Sequence, residues 1–200
     1  MSQRCNILPE PLFAERKVVL AERLGQVAMA VTPANFASLL DSLMQEVLEQ
    51  AFQEAGAQEG TVWLLDEAAE NLVPAYNTGP NAARIVGQFR QPLTTGLICM
   101  VLASEQPFVE NEVHKNSQQS KLLDTTLAVQ THALIAVPFY FLKNCRGVVS
   151  CVQLKASGDR NPEPGGFGPK ALAAVQRATS VLTRLLEHRI LSSTVGWASD

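Results

Sequence analysis

The 200-residue chain has no apolar run near the roughly 20 residues that a membrane-spanning helix requires. Its opening residues, MSQRCNILPEPLFAERK, hold neither an unbroken apolar segment nor a small-residue cleavage site, so no secretory signal is legible. A cytoplasmic location is expected. Charge of one sign is also lacking. With a net charge of -3 and scattered lysines and arginines, neither nucleic acid nor an anionic membrane is expected as a partner. No C-x-x-C joins Cys5, Cys99, Cys145 and Cys151, and such thiols in a reducing compartment behave as small core hydrophobes rather than disulfides. Internal repeats are absent, and so are a Gly-x-Ser-x-Gly elbow and a glycine-rich phosphate loop. The glycines of DRNPEPGGFGP have no lysine after a strand and read as a loop.

What is present is a globular composition, 46% hydrophobic and 18% charged, in a chain long enough for one domain with helical extensions. Leu20, Leu24, Val27 and Val31 recur at spacings of four and three, which predicts a helix over Glu10–Val31 with a narrow packing seam. TPANF predicts a second helix start, with Thr32 as cap and Pro33 at the first position. Phe36, Leu39, Leu40, Leu43, Val47, Leu48 and Ala51 would share its face, and Gly56 and Gly60 would close it. After Gly60 the pattern shortens. TVWLLDE and LVPAYNTG read as strands joined by the turn AAEN, and IVGQFRQPL as a third strand. TTGLICMVLASEQ reads as a short helix capped by Thr94 or Thr95, with Leu97, Met100 and Val101 inward, and PFVEN as a brief strand. The polar stretch Glu112–Thr131, with one helical turn at Leu122 and Leu123, is long for a connection and is expected to be functional or mobile. HALIAVPFYFLKNCRGVVSCVQLK supplies two long strands with LKNCRG as their tip. A last helix over Lys170–Leu191, with Leu172, Val175, Leu182, Leu185, Leu186 and Ile190 apolar, precedes a frayed tail. Tight turns between strands imply an antiparallel sheet covered by helices.

In this order the segments TVWLLDEAAENLVPAYNTG, TTGLICMVLASEQPFVEN and ALIAVPFYFLKNCRGVVSCVQL resemble the GAF domain family of small-molecule sensor modules, from about Phe36 to Leu191. The resemblance implies an α+β, profilin-like fold. Its centre is a six-stranded antiparallel sheet, with the N- and C-terminal helices packed on one face and a cavity on the other. It divides the chain into an N-terminal helical extension (1–33), a GAF-like domain (34–191) and a flexible tail (192–200). The short helix, PFVEN and the long loop would roof the cavity, and the terminal helices would pair two copies. Pro138 stands at the family's strand-end proline, where a bulge or unpaired position tolerates it.

Specific chemistries known in the family fit less well. The Asn-Lys, Phe and Asp-Glu signature of cyclic-nucleotide binders is missing, because Phe108 is followed by Glu112–Val113. No cysteine precedes a histidine, as bilin attachment often requires. Cys99 in GLICM is similar to a cysteine of the free methionine sulfoxide reductases, yet LDTTLAVQTHALIAVP holds no nucleophile cysteine, and Leu134 stands where they carry glutamate. His114 and His132 could converge on a metal, though no spacing demands it. Cys145, flanked by Lys143 and Arg146, is the candidate reactive thiol.

The expected pocket draws on Trp63, Leu65, Tyr76, Ile98, Cys99, Phe108, His114, Leu123, His132, Leu134 and Val149, an aromatic and aliphatic lining with few polar groups. The ligand and any cofactor stay unidentified. The expectation is therefore a non-enzymatic sensory or regulatory homodimer that binds a small molecule. With no kinase, phosphodiesterase or DNA-binding segment legible, its output partner is a separate protein, or the chain is a fragment. Two alternatives stand beside it: a dimerisation scaffold whose pocket is filled by its own side chains, and a methionine-sulfoxide-reductase-like redox enzyme.

Overall fold

The computed structural model describes residues 15–142, 144–156, 164–194 and 196. Helix α1 (Lys17–Met29) carries Leu20, Leu24 and Val27 of the predicted seam and ends short of Val31, while the expected stretch before residue 15 lies outside the described residues. The second helix does not start at Thr32. Asn35 accepts from the Thr32 N–H and donates to the Ala30 carbonyl, each at 2.8 Å, tying off a turn, and Phe36–Leu39 follow as one 3-10 turn. Helix α2 (Ser42–Ala55) begins only at Asp41, whose Oδ1 caps the Met44 N–H at 2.9 Å. A carboxylate at the N-cap satisfies an orphan donor and meets the helix dipole favourably. The later start re-phases the apolar face to Met44, Leu48, Ala51, Phe52 and Ala55, and leaves Leu43 exposed. Gly56 closes the helix as expected, whereas Gly60 lies in the strand that follows.

Strands β1 (Glu59–Leu65) and β2 (Asn71–Asn77) form the first hairpin. The expected third strand is mostly absent. Residues Ala82–Ile85 make a helical turn, α3, and the Gly87 N–H donates to the Pro74 carbonyl at 2.8 Å. Only β3 (Gln91–Pro92) pairs with β2. Pro92 has no N–H with which to extend that ladder. Helix α4 (Leu97–Ser104) follows, then β4 (Phe108–Glu110), a 3-10 turn (Val113–Lys115) and helix α5 (Leu122–Leu127). Strands β5 (Val129–Phe141) and β6 (Asn144–Ala156) are longer than the pattern indicated, and helix α6 runs Pro169–Thr194. The last helix thus passes Leu191, and the tail beyond Thr194, Gly196 apart, lies outside the described residues.

The six strands form one antiparallel sheet in the order β3-β2-β1-β6-β5-β4. Pro138 faces Val148 on β6, beyond the last β4 pairing at Ala136 and next to a register shift at Phe139/Tyr140. Its missing N–H therefore falls where β4 has already ended. Helices α2 and α6 cover one face, over Val62, Leu64, Ile135, Phe139, Phe141, Val149 and Cys151. Phe36 meets Phe139 edge-on at 6.1 Å. Residues Leu24 and Val27 of α1 pack against this same core, so the seam is spent within the chain. The other face carries Trp63, Leu72, Leu134, Ala136 and Val148, covered by α4 and the residues after β4.

Candidate functional site

Alternation along β1 points Val62 and Leu64 to the helices, and Glu59, Thr61 and Trp63 to the opposite face. There they meet Ser150, Val152 and Leu154 of β6 and Thr131 and Leu134 of β5. The roof is Gly96–Ile98 at the start of α4, Gln119 and Ser120, and Leu123, Asp124 and Leu127 of α5. Sheet and roof bound a cavity of about 100 Å³. Gly96 leads α4 with φ +102°, and a Cβ there would stand 3.2 Å from Ser120 Cβ. A side chain would both strain that backbone and push the roof away. Neither Thr94 nor Thr95 caps the helix. The Thr95 carbonyl instead accepts from Gln91 Nε2 at 2.9 Å.

Polar groups cluster at two places. On the sheet, Asn77 Nδ2 donates to Thr61 Oγ1 at 2.8 Å and to Glu59 Oε2 at 3.5 Å, and the Trp63 indole N–H donates to Ser150 Oγ at 2.9 Å. Glu59 is 6% exposed, and burial pushes its carboxyl above its ordinary value, the Asn77 contact opposing this only in part. At the roof, Asp124 Oδ2 accepts from Gln119 Nε2 (2.8 Å) and from the Thr131 N–H (3.0 Å), and Oδ1 accepts from the Thr131 hydroxyl (2.7 Å). Those three bonds tie α5 to β5 and to Gln119. Replacing Asp124 with alanine is expected to cost roughly 2 kcal/mol of local stability. Amide exchange over residues 122–131 should accelerate selectively; unchanged exchange would show the roof is held otherwise.

Because the carboxyl of Glu59 titrates higher in the folded chain than unfolded, burying its charge opposes folding once the pH exceeds the usual value near 4.5. Stability should fall as pH rises from there through the raised value. Glu59→Gln should therefore melt higher than the parent at neutral pH, the difference vanishing in acid. An equal gain at every pH would refute the linkage.

Of the residues predicted to form a pocket, Trp63, Ile98, Leu123 and Leu134 line this cavity. The structure places the others elsewhere. Tyr76 is opposite Val62 across a bulge, so it shares the helix face, and its hydroxyl donates to Glu49 at 3.1 Å. Val149 is also opposite Val62 and belongs to the helix-side core. Leu65 and Phe108 pack in the cavity-side core without reaching the cavity wall. Cys99 is buried beside it, its thiol donating to the Pro92 carbonyl at 3.4 Å and pushed up to about 11 by burial. His132, at the register shift between Thr131 and Ala133, is buried and stacks on His114 with ring centroids 5.7 Å apart. Their rings lie nearly parallel, at 24°. Among the described residues no group of three or more metal-ligating side chains occurs.

Cys145 does not sit in a loop. Strand pairing extends through Asn144 and Cys145, so the thiol is half-buried in β6 and its acidity is weakened by burial. The Arg146 guanidinium lies over the Phe141 ring and against Met29 Sδ rather than serving the thiol; Lys143 is outside the described residues. Glu59, Thr61, Asn77, Gln91, Asp124, Thr131 and Ser150 were not anticipated from the sequence. For Glu59, Thr61, Asn77, Thr131 and Ser150 the one available signal was a polar residue in a strand otherwise largely apolar; Gln91 and Asp124 had none.

A curled antiparallel sheet with helices on one side and a roofed cavity on the other is the architecture of a module that shelters a small ligand. The model of the GAF domain matches residues 39–184, and the chain belongs to this family of small-molecule sensor and regulatory modules. Several solved structures share the fold. The GAF domain/HD domain protein from Geobacter sulfurreducens is 16% identical, covering 78% of this chain and 97% of its own, with a TM-score of 0.58. The GAF domain of a phosphoenolpyruvate-protein phosphotransferase from Coxiella burnetii is 15% identical, covering 89% and 99%, also at 0.58. Free methionine-R-sulfoxide reductase from Neisseria meningitidis, solved with its substrate, is 18% identical, covering 90% and 93%, at 0.53. No curated protein matches the chain. Among the described residues no helix is long and apolar enough to cross a membrane.

Proposed function

We propose that this chain is a non-enzymatic regulatory module that takes a small molecule between sheet and roof. It would pass the signal through its terminal helices, as a homodimer, to a separate output protein. The observation that carries this reading is the cavity itself, with an apolar wall of Trp63, Ile85, Leu97, Leu123 and Leu134 around the Glu59–Asn77–Thr61 cluster. The roof is short and its helix is held by the Asp124 carboxylate and by Arg84 at the Thr126 carbonyl, so an occupant can bias its position and, through β5 and α6, the helix layer. Native mass spectrometry of the purified chain tests it: a retained small molecule and a dimer mass are expected. A ligand-free monomer that no metabolite stabilises would end this reading.

For dimerisation, the apolar side chains left exposed on the described terminal helices are Val18 (69% exposed), Val19 and Met29 on α1, and Val181 and Leu191 on α6. The inward positions Leu24 and Val27 are occupied within the chain. Exchanging Val18 and Val19 for glutamate should halve the sedimenting mass with the melting temperature nearly unchanged, since neither side chain is buried. A persisting dimer would place the interface elsewhere.

A second reading has its own support. At about 100 Å³ the cavity is smaller than the ~300–1,000 Å³ usual for ligand pockets, which favours a scaffold with a self-filled pocket. The redox-enzyme reading has less. Thiol catalysis needs an accessible thiolate, and burial disfavours that form at Cys99, Cys145 and Cys151 alike. Absence of methionine sulfoxide turnover, unaffected by Cys99→Ser, is the expected result.

A further inference from the structure

The cavity has ionisable side chains of one sign only. Of its described lining residues, Glu59 and Asp124 are acidic and none is lysine, arginine or histidine. Asp124 already accepts three hydrogen bonds from Gln119 and Thr131. Arg84 reaches the roof from outside, at the Thr126 carbonyl (3.2 Å). Glu59 differs from Asp124. It is almost fully buried, yet among the described residues its carboxylate accepts one hydrogen bond, the 3.5 Å contact from Asn77, and Oε1 accepts none. A carboxylate largely withdrawn from water with a single long hydrogen bond is costly. Here it stands on the wall of a space large enough for several heavy atoms, beside the Thr61 hydroxyl and the Trp63 ring.

Resting on the small-molecule reading above, we propose that the ligand is a small organic cation. Its protonated amine would pair with Glu59, and its short apolar body would fill the space against Trp63, Leu97, Leu123 and Leu134. An ammonium supplies several donors to one carboxylate, and an aromatic face beside it is favourable to a cation. A ligand with a carboxylate or phosphate would bring like charge against Glu59 with no cation in the wall to offset it. At about 100 Å³ the cavity is smaller than the ~150 Å³ apolar cavities that accept benzene, which restricts the body to a short aliphatic chain. Because the amine favours ionised Glu59, its affinity should rise with pH through the titration of that carboxyl.

The test uses n-butylamine, 1-butanol and butyrate as size-matched probes on the whole chain, read by the indole N–H resonance of Trp63, which is bonded to Ser150 inside the cavity. Butylammonium should shift this resonance saturably, at least fivefold more tightly than butanol, with butyrate inert. Its affinity should rise with pH. Glu59→Gln should lose tenfold or more in affinity and the pH dependence, while melting no lower than the parent, which separates lost binding from lost folding. Butanol or butyrate binding as tightly as the amine, or unchanged binding to Glu59→Gln, overturns the cation assignment and leaves the cavity as a ligand site. No shift with any of the three also overturns it, and joined to a native mass spectrum free of small molecules it removes the receptor reading too.

Discussion

Alanine at position 147 is expected to prevent the chain from folding. A Cβ built there stands 1.8 Å from the Trp63 carbonyl oxygen and 3.1 Å from Leu64 Cα. Both are backbone atoms of β1, the strand beside β6 at the centre of the sheet. No rotamer change relieves a clash between two main chains. Relief requires β1 and β6 to part, which breaks pairings from Glu59↔Val152 to Leu64↔Gly147 and splits the cavity wall between its two strands. The cost should exceed about 4 kcal/mol, a size that single substitutions seldom reach and one comparable with the whole stability of a marginal domain. Urea unfolding of soluble protein is the measurement. A Gly147→Ala chain with a midpoint near that of the parent would show that β1 and β6 do not approach so closely.

Truncating Phe139 to alanine should be the next most damaging change, at about 3–5 kcal/mol. Its ring is wholly buried, edge-on to Phe36 at 6.1 Å and tilted on Phe141 at 5.7 Å. The residue joins three parts of the structure: the turn before α2, strand β5 and helix α6. Lost ring area and the void left behind both contribute, because neighbours on three different elements cannot all move in. Thermal and urea unfolding should agree on the loss. A drop below about 1 kcal/mol would mean that α6 collapses onto the sheet to fill the space. Since Phe139 faces away from the cavity, probe binding to folded Phe139→Ala should be preserved, whereas the Glu59 and Asp124 variants act on the site itself.

The order of the elements was legible because the signals that announce them are local. Leu48, Ala51 and the closing Gly56 mark a helix whatever it packs on, and the runs around Trp63 and Val137 mark strands. That a side chain does not fit at Gly96 or Gly147 was visible only in the structure. The third strand failed upstream of Pro92, where the Gln88 and Phe89 N–H groups donate to the Ile85 carbonyl and Gly87 takes φ +72°, a turn whose weight could not be judged without knowing that the Gly87 N–H would meet Pro74 of β2. The start of α2 was misplaced at Thr32, whereas the structure caps it at Asp41. Asn35, bonding back to Ala30, accounts for this by holding the chain in a turn.

Faces were another matter. Which side of the sheet a residue takes depends on pairings between distant strands and on bulges that shift them. The bulge between Val62 and Trp63 sends Tyr76 to the helices, while Asn77 next to it reaches the cavity. Nothing in NLVPAYN distinguishes the two. Buried polar residues were overlooked because the sequence alone makes Glu59 a surface glutamate and Asp124 a loop aspartate. Only the packed structure takes water away from Glu59, and only it brings Asp124 within hydrogen-bond reach of Thr131.

The chain's own order of residues therefore determined the family, the antiparallel sheet and the helices that flank it, since turns, caps and periodicity act over a few residues. The tertiary structure alone decided that one face encloses a space, that an under-partnered carboxylate stands on its wall, and that the seam of the first helix is consumed internally. Those outcomes depend on which strands meet and in what register, and that is a property of contacts between residues far apart in the chain.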